Sequence, residues 1–152
     1  MNITVYGAAG DVGKRIVSEA LARGHNAIGV VRTKAQFGRL PDNVRPYAAD
    51  VSDQQQLAPT IEGQDLVISA LRPPEGHEND LPTLTRSVLD GSAAAGVRVL
   101  LVGGAGRYRL GTDTLMVDES GVSRISMEDF AVAVLDEAEV PKHVRRAFTV
   151  GY

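Results

Sequence analysis

The chain holds 152 residues, 43% hydrophobic and 23% charged, a balance that suits one compact domain, residues 1–152, around a single core. A formal charge of -3 with scattered basic residues argues against nucleic acid as a partner, and the absence of cysteine excludes disulfides, thiolate metal sites and a cysteine nucleophile. No apolar run approaches the roughly 20 residues that span a bilayer, and no basic leader precedes the first apolar segment, so a cytoplasmic protein without membrane contact is expected.

Strand and helix signals then take turns along the chain. Ile3 to Tyr6 reads as a strand and runs into a turn with three glycines spaced three apart, Gly7-Ala8-Ala9-Gly10-Asp11-Val12-Gly13. Val12 to Ala22 places Val12, Ile16, Ala20 and Arg23 one turn apart, which predicts a helix that Gly24 stops. Ala27 to Val31 and Val44 to Ala48 are the next strands, and Ser52 with Gln55 predicts a capping box for a helix that ends near Gly63. Leu66 to Leu71, a helix over Leu81 to Ala95 and Val97 to Val102 complete five strands expected to be buried. Tyr108 to Val117 suggests a hairpin, Ser126 with Asp129 caps a helix to Glu139, and Phe148 to Tyr152 is expected to be a final strand. Alternating strands and helices predict a doubly wound, mainly parallel α/β sheet with helices on both faces.

Placement gives the glycines their meaning. On the first turn between strand and helix, the first glycine permits the bend, the second lets backbone approach a pyrophosphate, and the third allows close helix packing. The helix dipole then points its positive end at the phosphates. Gly7, Ala8, Ala9, Gly10, Asp11, Val12 and Gly13 are therefore candidate contacts to a dinucleotide, most simply a nicotinamide cofactor.

The second strand ends in Arg32, where an enzyme that prefers NAD(H) usually carries a carboxylate, about twenty residues past the glycines, for the ribose 2′-hydroxyl. A guanidinium offers a donor fork to a 2′-phosphate, so NADP(H) is favoured over NAD(H), with Thr33 beside it and Lys34 assisting. Lys14 and Arg15 read instead as a solvated helix face. The carboxyl ends of the remaining strands should add further contacts, because that edge carries the ligand crevice in parallel sheets. Ser69, Ala70, Leu71 and Arg72 close the fourth strand, and the polar loop Arg72 to Asp80 is long enough to act as a flap on the substrate side.

YGAAGDVG, ALARGHNAIGVVR, AAD, DLVISAL, VLLVGGAG and SRISMEDFAVAVLDE with FTVGY follow one another in an order that resembles the NAD(P)H-binding atypical short-chain dehydrogenases. Among these the chain is most similar to the NmrA-like and flavin-reductase-like, or biliverdin-reductase-B-like, branch. The resemblance implies a Rossmann-type fold and a reductase that passes hydride from NADPH to a flavin, quinone or related small electron acceptor, or else a cofactor-binding sensor. It implies that Asp50 and Val51 lie beside adenine and that Gly103 and Gly104 end a cofactor-side strand. Arg72 stands where relatives often have glycine.

The sequence departs from the family in two further ways. The Tyr-x-x-x-Lys pair of ordinary carbonyl reductases is missing, since the residues four beyond Tyr6, Tyr47 and Tyr108 are Gly10, Val51 and Thr112. No catalytic residue can be assigned, and of the histidines only His77, in the flap, is placed to meet a substrate. Secondly, Gly106 runs straight into Arg107, where relatives insert a helix, a strand and the acceptor side of the site. A segment is therefore expected to be missing at that junction. No metal is expected, because no histidine or carboxylate pair has ligand spacing in a plausible crevice.

Overall fold

A computed structural model describes residues 1–103, 125–148 and 150. The expected hairpin, Gly104 and the Gly106–Arg107 junction lie outside the described residues. Among the described residues five parallel strands, β1 (Asn2–Tyr6), β2 (Asn26–Val31), β3 (Arg45–Ala48), β4 (Leu66–Ser69) and β5 (Arg98–Leu101), form one sheet in the order β3-β2-β1-β4-β5. Helices α1 (Asp11–Ala22), α2 (Gln54–Ile61) and α3 (Leu81–Ala95) are the crossovers, and α4 (Met127–Glu139) packs against α1. The Rossmann-type, doubly wound reading is therefore correct.

Alternation along the strands divides the core between the two faces. Ile3 and Val5 of β1 join Leu66 and Ile68 of β4 beneath Ile16, Val17 and Ala20 of α1 and Val134 and Leu135 of α4. The opposite face gathers Tyr6, Ile28, Val30 and Val67 against Leu57 and Ile61 of α2 and Val88 of α3. Each of the larger apolar side chains that is fully enclosed contributes about 1.5 to 3 kcal/mol through burial. Two polar groups of β1 face α2 and find partners there. Thr4 Oγ1 donates to the Thr60 carbonyl at 2.5 Å, and the Tyr6 hydroxyl meets Thr60 Oγ1 at 2.6 Å. Burial pushes the Tyr6 phenol up to about 12, which keeps this network neutral.

Several expectations are corrected. The three middle strands are almost wholly buried, but β3 and β5 are only partly so, because each lies at an edge of the sheet. Asp53, rather than Ser52, caps α2, its carboxylate accepting from the Gln55 N–H at 2.9 Å. Ser52 instead donates through both Oγ and N–H to Asp50 Oδ1, at 2.7 and 2.9 Å, so the competing short-range turn has taken its hydroxyl. β4 stops at Ser69, two residues before Leu71, and neither Phe148 nor Val150 is in a strand. Ser126 does cap α4, accepting from the Asp129 N–H at 3.0 Å.

Candidate functional site

The parallel sheet brings the ends of its strands to one edge, and the topology opens a crevice there. β1 connects outward to β2 and β3, whereas the chain returns past β1 to form β4 and then β5. The crossovers leave β1 and β4 in opposite directions, so no crossover helix among the described residues covers the gap at their carboxyl ends.

The glycine turn occupies this gap, and each glycine has its own reason. Gly7 has φ +75°, and a Cβ there would sit within 2.8 Å of the Ala70 carbonyl carbon. A side chain at Gly13 would be driven into the backbone of Gly7 and Ala8, so this glycine lets α1 rest on the turn. Gly10 differs from both: its φ is -77°, and a Cβ would meet only the Gly7 carbonyl oxygen, at 3.2 Å. Among the described residues that one oxygen is the only close neighbour; it would have to give by a few tenths of an ångström to admit a Cβ, and the position is exposed.

Gly10 is also the N-cap of α1, and no side chain caps this helix. The Ala8 N–H is taken by the Val30 carbonyl at 3.3 Å and that of Gly10 by Gly7 at 3.0 Å. The N–H groups of Asp11, Val12 and Gly13 find no acceptor among the described residues. They form the unsatisfied first turn of a twelve-residue helix, which is the donor arrangement a pyrophosphate requires. The cradle and the free donors fit a dinucleotide. The Asp11 side chain points elsewhere, pairing with Lys14 Nζ at 3.2 Å. Arg15 is tied to the Asp11 carbonyl at 2.8 Å and, on α4, to the Glu128 carboxylate, so it bridges two helices where the sequence reading expected a solvated face.

The other candidates line the same edge unequally. Arg32 and Thr33 follow β2 and are exposed. The Arg32 guanidinium makes no hydrogen bond or ion pair among the described residues, although it is close enough to help hold the Asp50 carboxyl below its ordinary range after the larger effect of Ser52. Asp50 is exposed and Val51 partly buried just past β3. Beyond β4, Ser69 is 3% exposed and locked in the ladder, its carbonyl accepting from the Val102 N–H at 2.8 Å. Ala70 and Leu71 are half-buried along the crevice, and Arg72 turns outward. Gly103 lies past β5 at the far end of the edge, two strands from the glycine turn.

In the flap, His77 is exposed and 3.4 Å from Asp80. Nothing described there forms a catalytic pair. His25 and His143 are structural, bonded to Glu139 at 2.8 Å and to Glu137 at 2.9 Å. No metal-binding cluster occurs among the described residues, and no described helix is long and apolar enough to cross a membrane. Sequence reasoning missed Gln36, whose Oε1 accepts from the backbone N–H groups of Arg32 and Thr33 at 3.1 and 3.2 Å. The Thr33-x-x-Gln36 spacing was the available signal.

A switch-point crevice with a glycine turn and an uncapped helix N-terminus defines a dinucleotide-binding protein of the Rossmann class. More particularly, the chain belongs to the NAD(P)H-binding family, which it matches over residues 7–114. It is similar to the uncharacterized protein YwnB of Bacillus subtilis (strain 168), at 26% identity over 212 aligned positions that cover 99% of this chain and 98% of YwnB. It is also 28% identical to a 4-hydroxy-tetrahydrodipicolinate reductase of Natronomonas pharaonis, over 99% of this chain but only 49% of that protein. Among solved structures, a Bacteroides thetaiotaomicron protein provisionally named an epimerase superposes with TM-score 0.84. It is 30% identical over 99% of this chain and 96% of that one.

Proposed function

We propose that this protein is a cytoplasmic NADPH-dependent reductase that delivers hydride to a flavin, quinone or related electron-poor acceptor. The observation that carries the reading is the uncapped α1 N-terminus behind Gly10, at the switch point between β1 and β4. There Asp11, Val12 and Gly13 would bind the pyrophosphate through backbone N–H groups, and Gly10 would leave room for it. Arg32, whose guanidinium is uncommitted, would pair with the 2′-phosphate. Asp50 and Val51 would line the adenine side, and Ala70 and Leu71 the floor towards the nicotinamide.

The bound cofactor would supply the hydride. An electron-poor ring takes hydride without an enzymic acid at the acceptor atom, because a proton can come from water, so positioning would provide most of the rate. That agrees with the lack of a catalytic pair among the described residues. A second reading, a non-catalytic NADP(H)-binding redox sensor, draws on the Gly106–Arg107 junction. The 212 positions aligned with YwnB, against 152 residues here, support a missing segment. Such a segment would include much of an acceptor site.

NADPH oxidation followed at saturating cofactor with a panel of flavins and quinones separates the two. Turnover with any member establishes the reductase, and micromolar or tighter NADPH binding without turnover establishes the sensor. In either case Arg32→Ala should remove roughly tenfold or more of the preference for NADPH over NADH, since a charge-assisted fork is worth about 1.5 to 3 kcal/mol. Equal affinity of the unsubstituted protein for both cofactors would refute the NADPH assignment.

A further inference from the structure

Arg32 reaches the cofactor edge from a backbone that is itself held in place. After β2 the chain enters a 3₁₀ turn over Lys34–Arg39, and Gln36 is its third residue. The Gln36 N–H donates to the Thr33 carbonyl at 3.0 Å, while its side chain folds back over the same two peptides. Oε1 accepts from Arg32 N–H at 3.1 Å and from Thr33 N–H at 3.2 Å. One amide oxygen of the half-buried Gln36 thus fixes both peptide groups flanking the Arg32 Cα, and with them the direction in which its side chain leaves the strand. The N–H groups of Arg32 and Thr33 are consumed by this contact and are not left for a ligand.

We infer that Gln36 is a positioning residue for cofactor discrimination: by clamping the Arg32–Thr33 backbone it aims the guanidinium at the 2′-phosphate. The inference rests on the NADPH reading above. A flexible arginine can meet a phosphate from many backbone positions, but it then loses more conformational freedom in doing so, and the clamp lowers that cost. The amide is suited to the task because it supplies the acceptor without a charge. A carboxylate of the same length could accept from the same two N–H groups, yet it would repel the phosphate and compete with it for Arg32.

The test is the ratio of Kd for NADH to Kd for NADPH, measured by titration on the unsubstituted protein, Arg32→Ala, Gln36→Ala, Gln36→Glu and the double variant Arg32→Ala/Gln36→Ala. Gln36→Ala should lower the ratio about three- to tenfold, as expected for loss of one ordering contact, with NADH affinity changed less than about twofold. Gln36→Glu, which keeps the acceptor and so protects the turn, should lower the ratio at least as far. In the double variant the ratio should equal that of Arg32→Ala alone, because Gln36 acts only through Arg32. A protein that prefers NADPH through Arg32 but keeps its ratio in Gln36→Ala or Gln36→Glu would overturn the inference and leave the NADPH reading intact. An unsubstituted ratio near one would instead overturn that reading and this inference with it.

Discussion

A methyl group added at Gly13 would meet the Gly7 carbonyl carbon at 2.8 Å, and neither backbone can retreat without lifting α1 from the turn. Gly13→Ala should therefore destabilise the protein by roughly 2 kcal/mol or more, as overpacking does. Gly7→Ala should do the same, since it adds the strain of a φ of +75° to the collision with Ala70. Gly10→Val is expected to behave differently. The extended backbone at Gly10 suits a β-branched residue and only the Gly7 carbonyl oxygen would have to give, so the unfolding midpoint should fall less than in the other two variants, while a side chain standing where the pyrophosphate is proposed to lie should abolish cofactor binding. Urea unfolding and cofactor titration on the three variants check the division. Unimpaired binding by Gly10→Val would mean that all three glycines serve only the turn.

At the scale of elements, α4 is fastened from three sides. Arg23 of α1 donates to Glu19 at 2.7 Å and to Asp136 and Glu139 at 2.9 Å each, and Arg98 at the start of β5 reaches the carbonyls of Glu137 and Ala138 at the helix end. The third fastening is Glu137, 6% exposed, whose carboxylate accepts from the Lys142 and His143 N–H groups at 2.9 and 2.8 Å and faces the His143 ring at 2.9 Å. Burial alone would raise this carboxyl, but the donors of His143 and Lys142 outweigh it and hold the group below its ordinary 4.5. Its contribution to stability is thus complete above about pH 4.5 and is lost as the pH falls through the lower folded value. Glu137→Gln, which keeps an uncharged oxygen on the two N–H groups but sets an amide NH2 against the His143 ring, should cost roughly 1 to 3 kcal/mol at neutral pH and flatten the acid limb of the stability profile. Thermal unfolding between pH 3 and 7 reads both effects, and an acid limb unchanged by the substitution would contradict the assignment.

For the whole molecule, the cofactor should act as a folding ligand, because the contacts proposed for it come from the ends of β1, β2, β3 and β4 together and would exist only when the sheet is assembled. At a hundred times its Kd, NADPH should add about 2.7 kcal/mol, which raises the melting temperature by roughly 5 to 11 °C for a chain of this size. NADH at the same concentration should give a smaller shift, and Arg32→Ala should bring the two together. Absence of any shift with either cofactor would contradict binding at this edge.

The alternation of strand and helix, the helix stop at Gly24 and the Ser126 cap were legible in the sequence because each depends on contacts within a few residues. The glycine turn was legible for the same reason, since three spaced glycines between an apolar run and an amphipathic helix leave few other structures open. Which glycine does what was not. Only the approach of Ala70 to Gly7, and of Gly7 to Gly13, shows that two of them are required by packing and that Gly10 is far less crowded. The partial exposure of β3 and β5 likewise follows from strand order, which an apolar run does not carry. The choice of Asp53 over Ser52 as the α2 cap was settled when Asp50 took the serine hydroxyl, a competition among adjacent turns. Arg32 could be picked out from its place at the end of a strand. That it makes no hydrogen bond or ion pair among the described residues, and that Gln36 clamps the backbone beneath it, arise from how the chain folds back after β2, because a side chain is uncommitted only relative to what packs around it.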